Sequence, residues 1–328
     1  MGIVHLMGVG NSPGVVTTAI AYMENNRDEV FKHSSGGGRA EALVLAGTEE
    51  TRQGKVRCRS PVCWNRYGTA KFCSKEFDNV VECIRTFLTK EYPQFVRDGG
   101  RVCEFWYLDL RLDDPWENLR RLAKACAFMA GGQTGKELWI NLTGGLNLIQ
   151  VSLLLFAQLC REVSRAYYVF APYDLPNISE RVTNFLQPVG ATSNEFRWID
   201  LPIIPAILDE NWRAILKRLN KCGNFVSAEE LLGRLKASGG FFSTDSKVLR
   251  QQYLLKMRGT LVLYDDESQK NRISPVGSKL LELLEDGTLA ALMESDPQRR
   301  RETISKVRPR NEEDAGLVRI PWDKLWRG

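Results

Sequence analysis

The stretch Ile3-Val4-His5-Leu6-Met7-Gly8-Val9-Gly10-Asn11-Ser12-Pro13-Gly14-Val15-Val16-Thr17-Thr18 decides how this chain folds. Ile3–Met7 is a short, almost wholly apolar run and reads as a buried strand, with His5 as a core residue. Three glycines then make tight backbone available, and a helical pattern spans Pro13–Met23. Ser12 stands where a side chain can cap a helix, and Pro13 suits the first turn. Such a turn aims free N–H groups at whatever lies beyond it, an arrangement that attracts phosphate. It is not the dinucleotide G-x-G-x-x-G, because the third glycine is missing and Pro13 removes a donor. A strand-to-helix turn with no ligand has the same local signature.

Outward from this stretch, β-rich runs at Ala42–Ala46, Val102–Leu110, Glu137–Leu142 and Ala166–Ala171 alternate with helical patterns. The helical patterns cover Phe77–Tyr92, Pro115–Ala130 and Leu146–Val163. That alternation predicts a parallel sheet covered by helices, a Rossmann-like α/β domain over residues 1–202. Ligands of such sheets bind at the carboxyl ends of the strands. A second glycine turn, Asn141-Leu142-Thr143-Gly144-Gly145-Leu146-Asn147, follows the fourth strand and opens the most apolar helix in the chain. Its glycines permit close approach of a ligand, while Thr143 and Asn147 present donors and acceptors at the rim. Gly36–Gly38 reads as a flexible loop before the second strand.

Past Pro172, the alternating segments Arg181–Leu186 and Glu195–Leu201 read as a hairpin or two edge strands before Pro202 and Pro205. Helical patterns at Trp212–Lys221, Ser227–Ala237 and Thr244–Arg258 precede a hairpin built from Thr260–Tyr264 and Arg272–Ser274. Another helix starts at Ser278. This order predicts a winged helix-turn-helix domain over 203–286. On Thr244–Arg258, Lys247, Arg250 and Gln251 share one face, with Leu249, Tyr253 and Met257 on another. Lys270 and Arg272 fall at the wing, where phosphate contacts are usual. Residues 213–279 hold 13 Lys+Arg against 6 Asp+Glu, a balance that suits DNA, although winged helices also serve as packing modules. Residues 287–328 read as a weakly structured, mixed-charge tail closed by Ile320, Trp322 and Trp326.

The 328 residues suffice for two cores, and 43% hydrophobic with 26% charged residues argues against extensive disorder. The overall charge of +5 says little about partners. The longest apolar stretch, Leu142 to Cys160, is interrupted by Thr143, Asn147, Gln150 and Gln158, so no membrane span is expected. The first residues lack a basic region and a cleavage site, so a cytoplasmic protein with reduced thiols is expected. Cys58, Cys63, Cys73 and Cys83 contain no C-x₂-C knuckle, and no metal is expected. The segment Arg52 to Lys75 reads instead as a basic loop over the ligand pocket. An ordinary nucleotide-cofactor enzyme is disfavoured, because the second strand ends in Ala46-Gly47-Thr48 with no acidic residue to hold a ribose.

Gly10-Asn11-Ser12-Pro13-Gly14-Val15-Val16-Thr17, Ala46-Gly47-Thr48 and Asn141-Leu142-Thr143-Gly144-Gly145 together resemble the CRISPR-associated Rossmann fold (CARF) family, especially its ring-nuclease type. The helix-turn-helix domain that follows is similar to that family's arrangement. The resemblance implies a homodimer that binds cyclic oligoadenylate, cyclic tetra- or hexa-adenylate, in type III CRISPR antiviral defence, with no cofactor. It carries ligand contacts to Gly10, Asn11, Ser12, Thr48, Arg52, Thr143, Gly144, Gly145 and Asn147. The implied reaction is metal-independent ring cleavage by a ribose 2′-hydroxyl, with Ser12 as the catalytic candidate positioning the reacting group. Many members carry a lysine after the paired glycines. Asn147 occupies that place here, which disfavours fast turnover unless Arg52 or Lys55 substitutes. The family's common effector nuclease needs a late histidine, and this chain has none beyond His33. The alternative output is a DNA-binding regulator controlled by the ligand, without cleavage.

Overall fold

The computed structural model describes residues 2–32, 34, 38–56, 79–131, 136–170, 197–203, 210–237 and 245–323. By contact the chain divides into two compact units, Met1–Pro205 with Ala291–Gly328, and Ala206–Ala290.

The first unit begins with β1 (Gly2–Gly8), α1 (Gly14–Asn25), α2 (Arg27–Val30), β2 (Ala40–Gly47) and α3 (Glu49–Arg52). It continues with α4 (Val80–Glu91), α5 (Pro93–Val96), β3 (Arg97–Asp98), β4 (Arg101–Val102) and β5 (Glu104–Asp109). Then follow α6 (Pro115–Met129), β6 (Lys136–Asn141), α7 (Asn147–Leu159), β7 (Val163–Phe170) and β8 (Arg197–Leu201). Val102 leaves the expected third strand for a separate two-residue pairing. The reason is local: Gly99 and Gly100 both have positive φ, the conformation that closes a tight hairpin between β3 and β4.

Five strands, in the order β5-β2-β1-β6-β7, pair in parallel. The chain therefore builds the sheet outward from β1 in one direction through β2 and β5, then returns to the other side of β1 for β6 and β7. The direction reverses between β1 and β6. Every residue of β1 is buried, as a strand with helices on both faces requires. Ile3, Met7, Leu43, Leu45, Phe105, Tyr107, Trp139 and Tyr167 join the α1, α4 and α5 side chains in one core cluster. On the other face Leu153 of α7 approaches Gly8, and Phe128 of α6 meets Trp106 edge-on.

His5 lies in the first of these layers, 1% exposed, between Phe95 and Trp139. Burial holds its imidazole down at about 3, and the nearby Glu137 only partly opposes this. Below its ordinary value of 6.5 the unfolded chain takes up a proton that the folded protein refuses. Stability should therefore rise with pH through the window from about 3 to 6.5. We expect a loss of about 2 kcal/mol on going from pH 8 to pH 5. His5→Leu should flatten this part of the profile in urea unfolding. An unchanged pH slope in that variant would remove His5 as its cause.

The second unit contains helices Glu210–Cys222 and Ala228–Ala237, then a continuous helical segment with a π-helical centre. That segment runs through Ser246–Val248, Leu249–Leu254 and Leu255–Met257. Strands β9 (Val262–Asp265) and β10 (Lys270–Ile273) form an antiparallel hairpin, and helix Pro275–Glu285 follows. Val226 adds a single bridge to Asn271. Leu216, Leu219, Leu231, Leu235, Leu249, Leu254, Met257, Val262 and Leu281 supply its core.

Through residue 323, the segment expected as a weakly structured tail carries regular elements. Helices Gly287–Met293 and Pro297–Val307 lead to β11 (Leu317–Arg319), which pairs antiparallel with β5 and extends the sheet to seven strands, with β8 antiparallel at the other edge. Local composition hid this because only three residues form the strand. Its partner is more than two hundred residues earlier, and Trp322 anchors it by stacking on Phe105 at 4.5 Å. Arg181–Leu186 and Trp326 lie outside the described residues. Among the described residues, no helix is long and apolar enough to cross a membrane.

Candidate functional site

Each glycine turn sits at the carboxyl end of one of two adjacent strands, β1 and β6, where the sheet order reverses. That reversal opens the crevice in which sheets of this kind hold ligands. The first turn continues β1 through the Val9 N–H, which donates to the Ala46 carbonyl at 2.8 Å. The second is held by side chains. Asn141 is buried, and its Oδ1 accepts from the Thr143 N–H at 2.7 Å. The Thr143 hydroxyl oxygen accepts from the Val169 N–H at 2.8 Å, tying the turn to β7. Gly145 has φ +121°, a conformation that disfavours a side chain.

The two turns pack directly on each other. A Cβ on Gly8 would stand 2.3 Å from the Gly144 carbonyl oxygen, and one on Gly144 would stand 2.2 Å from Val15 Cβ. Gly145 and Leu146 lie beside Gly10, where a Cβ would have ordinary contacts at 3.7 Å. Absence of side chains at Gly8 and Gly144 is what lets the amino ends of α1 and α7 come together. Neither helix has a side-chain cap, and neither carries an acidic residue in its first turn.

Ser12 does not cap α1, because the helix starts at Gly14 and Pro13, already in helical conformation, occupies the cap position. The side chains of Asn11, Ser12 and Asn147 make no hydrogen bond among the described residues, and Asn147 is exposed. Uncapped N–H groups, no nearby first-turn carboxylate and three unengaged polar side chains together form a cradle suited to an anion.

Thr48 and Arg52 are engaged elsewhere. Thr48 is 5% exposed; its hydroxyl accepts from the Thr51 N–H at 3.3 Å and caps α3, while its carbonyl accepts from the Tyr107 hydroxyl at 2.9 Å. The Arg52 Nε donates to both carboxylate oxygens of Asp109, at 3.0 and 3.1 Å, and Glu49 lies 3.6 Å away. Its charge is balanced inside the protein, so it is a poor substitute for the missing lysine. Lys55 is exposed. Sequence reasoning missed the roles of Asn141, which holds the second glycine turn through the Thr143 N–H, and of Tyr107, which holds the turn after β2 through the Thr48 carbonyl. A polar residue ending an apolar strand was the available signal for Asn141.

In the second unit the π-helical centre alters the expected faces. An extra residue per turn makes Leu249, Leu254 and Met257 the buried series, and Tyr253 is only partly covered. Lys247 and Gln251 remain exposed, joined by Gln252 and Lys256. Arg250 turns toward Glu229, at 3.4 Å. Lys270 is exposed at the hairpin, while the Arg272 guanidinium lies 5.0 Å from the centre of the Phe225 ring. Among the described residues no group of three or more His, Cys, Asp or Glu could hold a metal. Cys58, Cys63 and Cys73, with residues 57–75 of the loop expected over the pocket, lie outside them, and Cys83 is buried in α4.

No family model matches the chain. An uncharacterized protein of Archaeoglobus fulgidus is 22% identical over 305 residues, covering 81% of this chain and 85% of that protein. Among solved structures, Enterococcus italicus Csm6 bound to cyclic hexa-2′-fluoro-hexa-dAMP is similar with a TM-score of 0.37 and 13% identity. That alignment covers 76% of this chain and 53% of the Csm6 chain, so the chain spans about half the length of that structure.

Proposed function

We propose that this protein is a CARF-type receptor that binds cyclic tetra- or hexa-adenylate as a homodimer. The observation that carries the reading is the meeting of two uncapped helix N-termini, α1 and α7, at the point where the sheet order reverses. A ring of phosphodiesters needs many N–H donors around a symmetric pocket, and a dimer doubles the two helix ends each chain provides. The outer side of α7 supports the dimer: Val151, Leu154 and Leu155 are 47%, 41% and 43% exposed at helical spacing. In this reading Gly10, Asn11, Ser12, Thr143, Gly144, Gly145 and Asn147 line the ring. Thr48 and Arg52 shape the wall from behind.

Ring cleavage, if catalysed here, uses a ribose 2′-hydroxyl of the ligand as nucleophile on the adjacent phosphorus. The P–O5′ bond breaks, leaving a 2′,3′-cyclic phosphate and a free 5′-hydroxyl. The protein's part is in-line geometry and N–H donors for the developing charge, with Ser12 positioning the reacting group. With Arg52 paired to Asp109, that side chain is not available to the developing charge, and slow turnover is expected.

The test is Asn147→Asp. A carboxylate in the first turn of α7 suits the helix dipole, so thermal stability should stay level or rise slightly. The same carboxylate repels phosphate, and affinity for cyclic tetra- and hexa-adenylate by calorimetry should fall at least about tenfold. Unchanged affinity would place the ligand elsewhere. Chromatography of the same mixtures for linear products over hours separates cleavage from sensing.

A second reading, a ligand-controlled DNA-binding regulator with a winged helix, is favoured by the exposed Lys247, Gln251 and Lys256 on the helical segment and the exposed Lys270 of the hairpin. Duplex binding should then weaken steeply with salt, and Lys247→Glu with Lys256→Glu should abolish it. DNA affinity indifferent to both changes would dismiss this output.

A further inference from the structure

We propose that Cys126 of α6 and Cys160 at the end of α7 form an oxidisable pair, a site where a peroxide converts two buried thiols into a disulfide that staples the two helices. Their sulfurs lie 3.8 Å apart, and the residues are 1% and 2% exposed. A disulfide needs about 2.05 Å, so each sulfur moves by less than about 1 Å.

A second tie between the same two helices fixes their register near the pair. Asn118 Nδ2 donates to the Ser152 hydroxyl at 3.2 Å, tying α6 to α7 one step nearer their amino ends. Cys126 follows Asn118 by eight residues, and Cys160 follows Ser152 by eight. Equal spacing on both helices means that they run in parallel register, with the two ties about 12 Å apart. A bond at the second tie therefore requires no slip of one helix along the other. Cys160 is the residue at which α7 ends, with its N–H on the Phe156 carbonyl, so fraying of one turn admits a small oxidant.

The step balances as a two-electron oxidation. One sulfur, as thiolate, attacks an oxygen of hydrogen peroxide, the O–O bond breaks, and a sulfenic acid and water form. The second sulfur then attacks the first, the S–O bond breaks, and the second water leaves with both thiol protons accounted for. The hydrogen bond to Cys160, together with burial, pushes the Cys126 thiol up, so thiolate is scarce and oxidation is slow. Once formed, the bond closes a 34-residue span, and dithiothreitol reaches it by the same fraying that admits the oxidant.

The experiment uses the full chain, reduced, treated with hydrogen peroxide, quenched with catalase, then unfolded in iodoacetamide and mapped by mass spectrometry. The expected product is a Cys126–Cys160 peptide pair lighter by two hydrogens. Tm should rise by about 5–10 °C and return on adding dithiothreitol. Cys126→Ala and Cys160→Ser should each abolish both changes, and Cys222→Ala should leave both in place. Recovery of both cysteines alkylated or as sulfinic acids, or a cross-link with no rise in Tm, would overturn the proposal. The map of the unsubstituted protein decides the matter even where a variant fails to fold.

Discussion

Gly8→Ala is expected to cost about 2–3 kcal/mol of folding stability, whereas Gly10→Ala, two residues further on, should change it by less than about 1 kcal/mol. Both glycines belong to one turn, and propensity alone treats them alike. What separates them is the partner. The new methyl at position 8 would sit 2.3 Å from a backbone oxygen, that of Gly144, which can retreat only if the second turn and the start of α7 move with it. At position 10 the nearest atoms are 3.7 Å away and the φ is not in the left-handed region. Urea midpoints of the two variants measure the difference. Equal losses would mean that the turns are not in contact. Because displacement of α7 also re-aims its N–H groups, Gly8→Ala should weaken cyclic oligoadenylate binding more than Gly10→Ala does.

Trp322→Ala should destabilise the protein by about 2–3 kcal/mol, and removal of residues 309–328 should leave it aggregated. The indole stacks on Phe105 at 20° between planes, and its Nε1 donates to the Cys103 carbonyl at 2.6 Å. The Trp322 carbonyl in turn accepts from the Arg85 guanidinium. Beside it the Ile320 N–H donates to the Phe105 carbonyl at 2.8 Å. Truncation would strip the outer edge of β5 of its partner while Phe105, Trp106 and Tyr107 stay in that strand. A dispensable tail would show no change in Tm, and the soluble fraction of the truncated chain would match that of the full one.

The five parallel strands and the long helices α1, α4, α6 and α7 were legible because each buried strand is a short apolar run and each of these helices repeats at its own period. These are local patterns, and α6 shows how little else is needed: the helix expected from Pro115 starts there, and the structure adds that Asp114 accepts from the Trp116 and Glu117 N–H groups. The composite helix was legible in extent but not in face. A π-turn inserts one residue into the period, so Leu254 rather than Tyr253 is fully buried and Arg250 turns to Glu229.

From the amino-acid order alone came the identity of the two glycine turns and their placement after strands, since glycine at a strand end is a statement about backbone freedom that needs no partner. Which atoms those glycines must avoid, the pairing of Arg52 with Asp109, the juxtaposition of Cys126 with Cys160 and the docking of Leu317–Arg319 on β5 were decided by tertiary structure. Each is a contact between residues tens to hundreds apart, selected by which surfaces the sheet order brings together, and no window of sequence contains both halves.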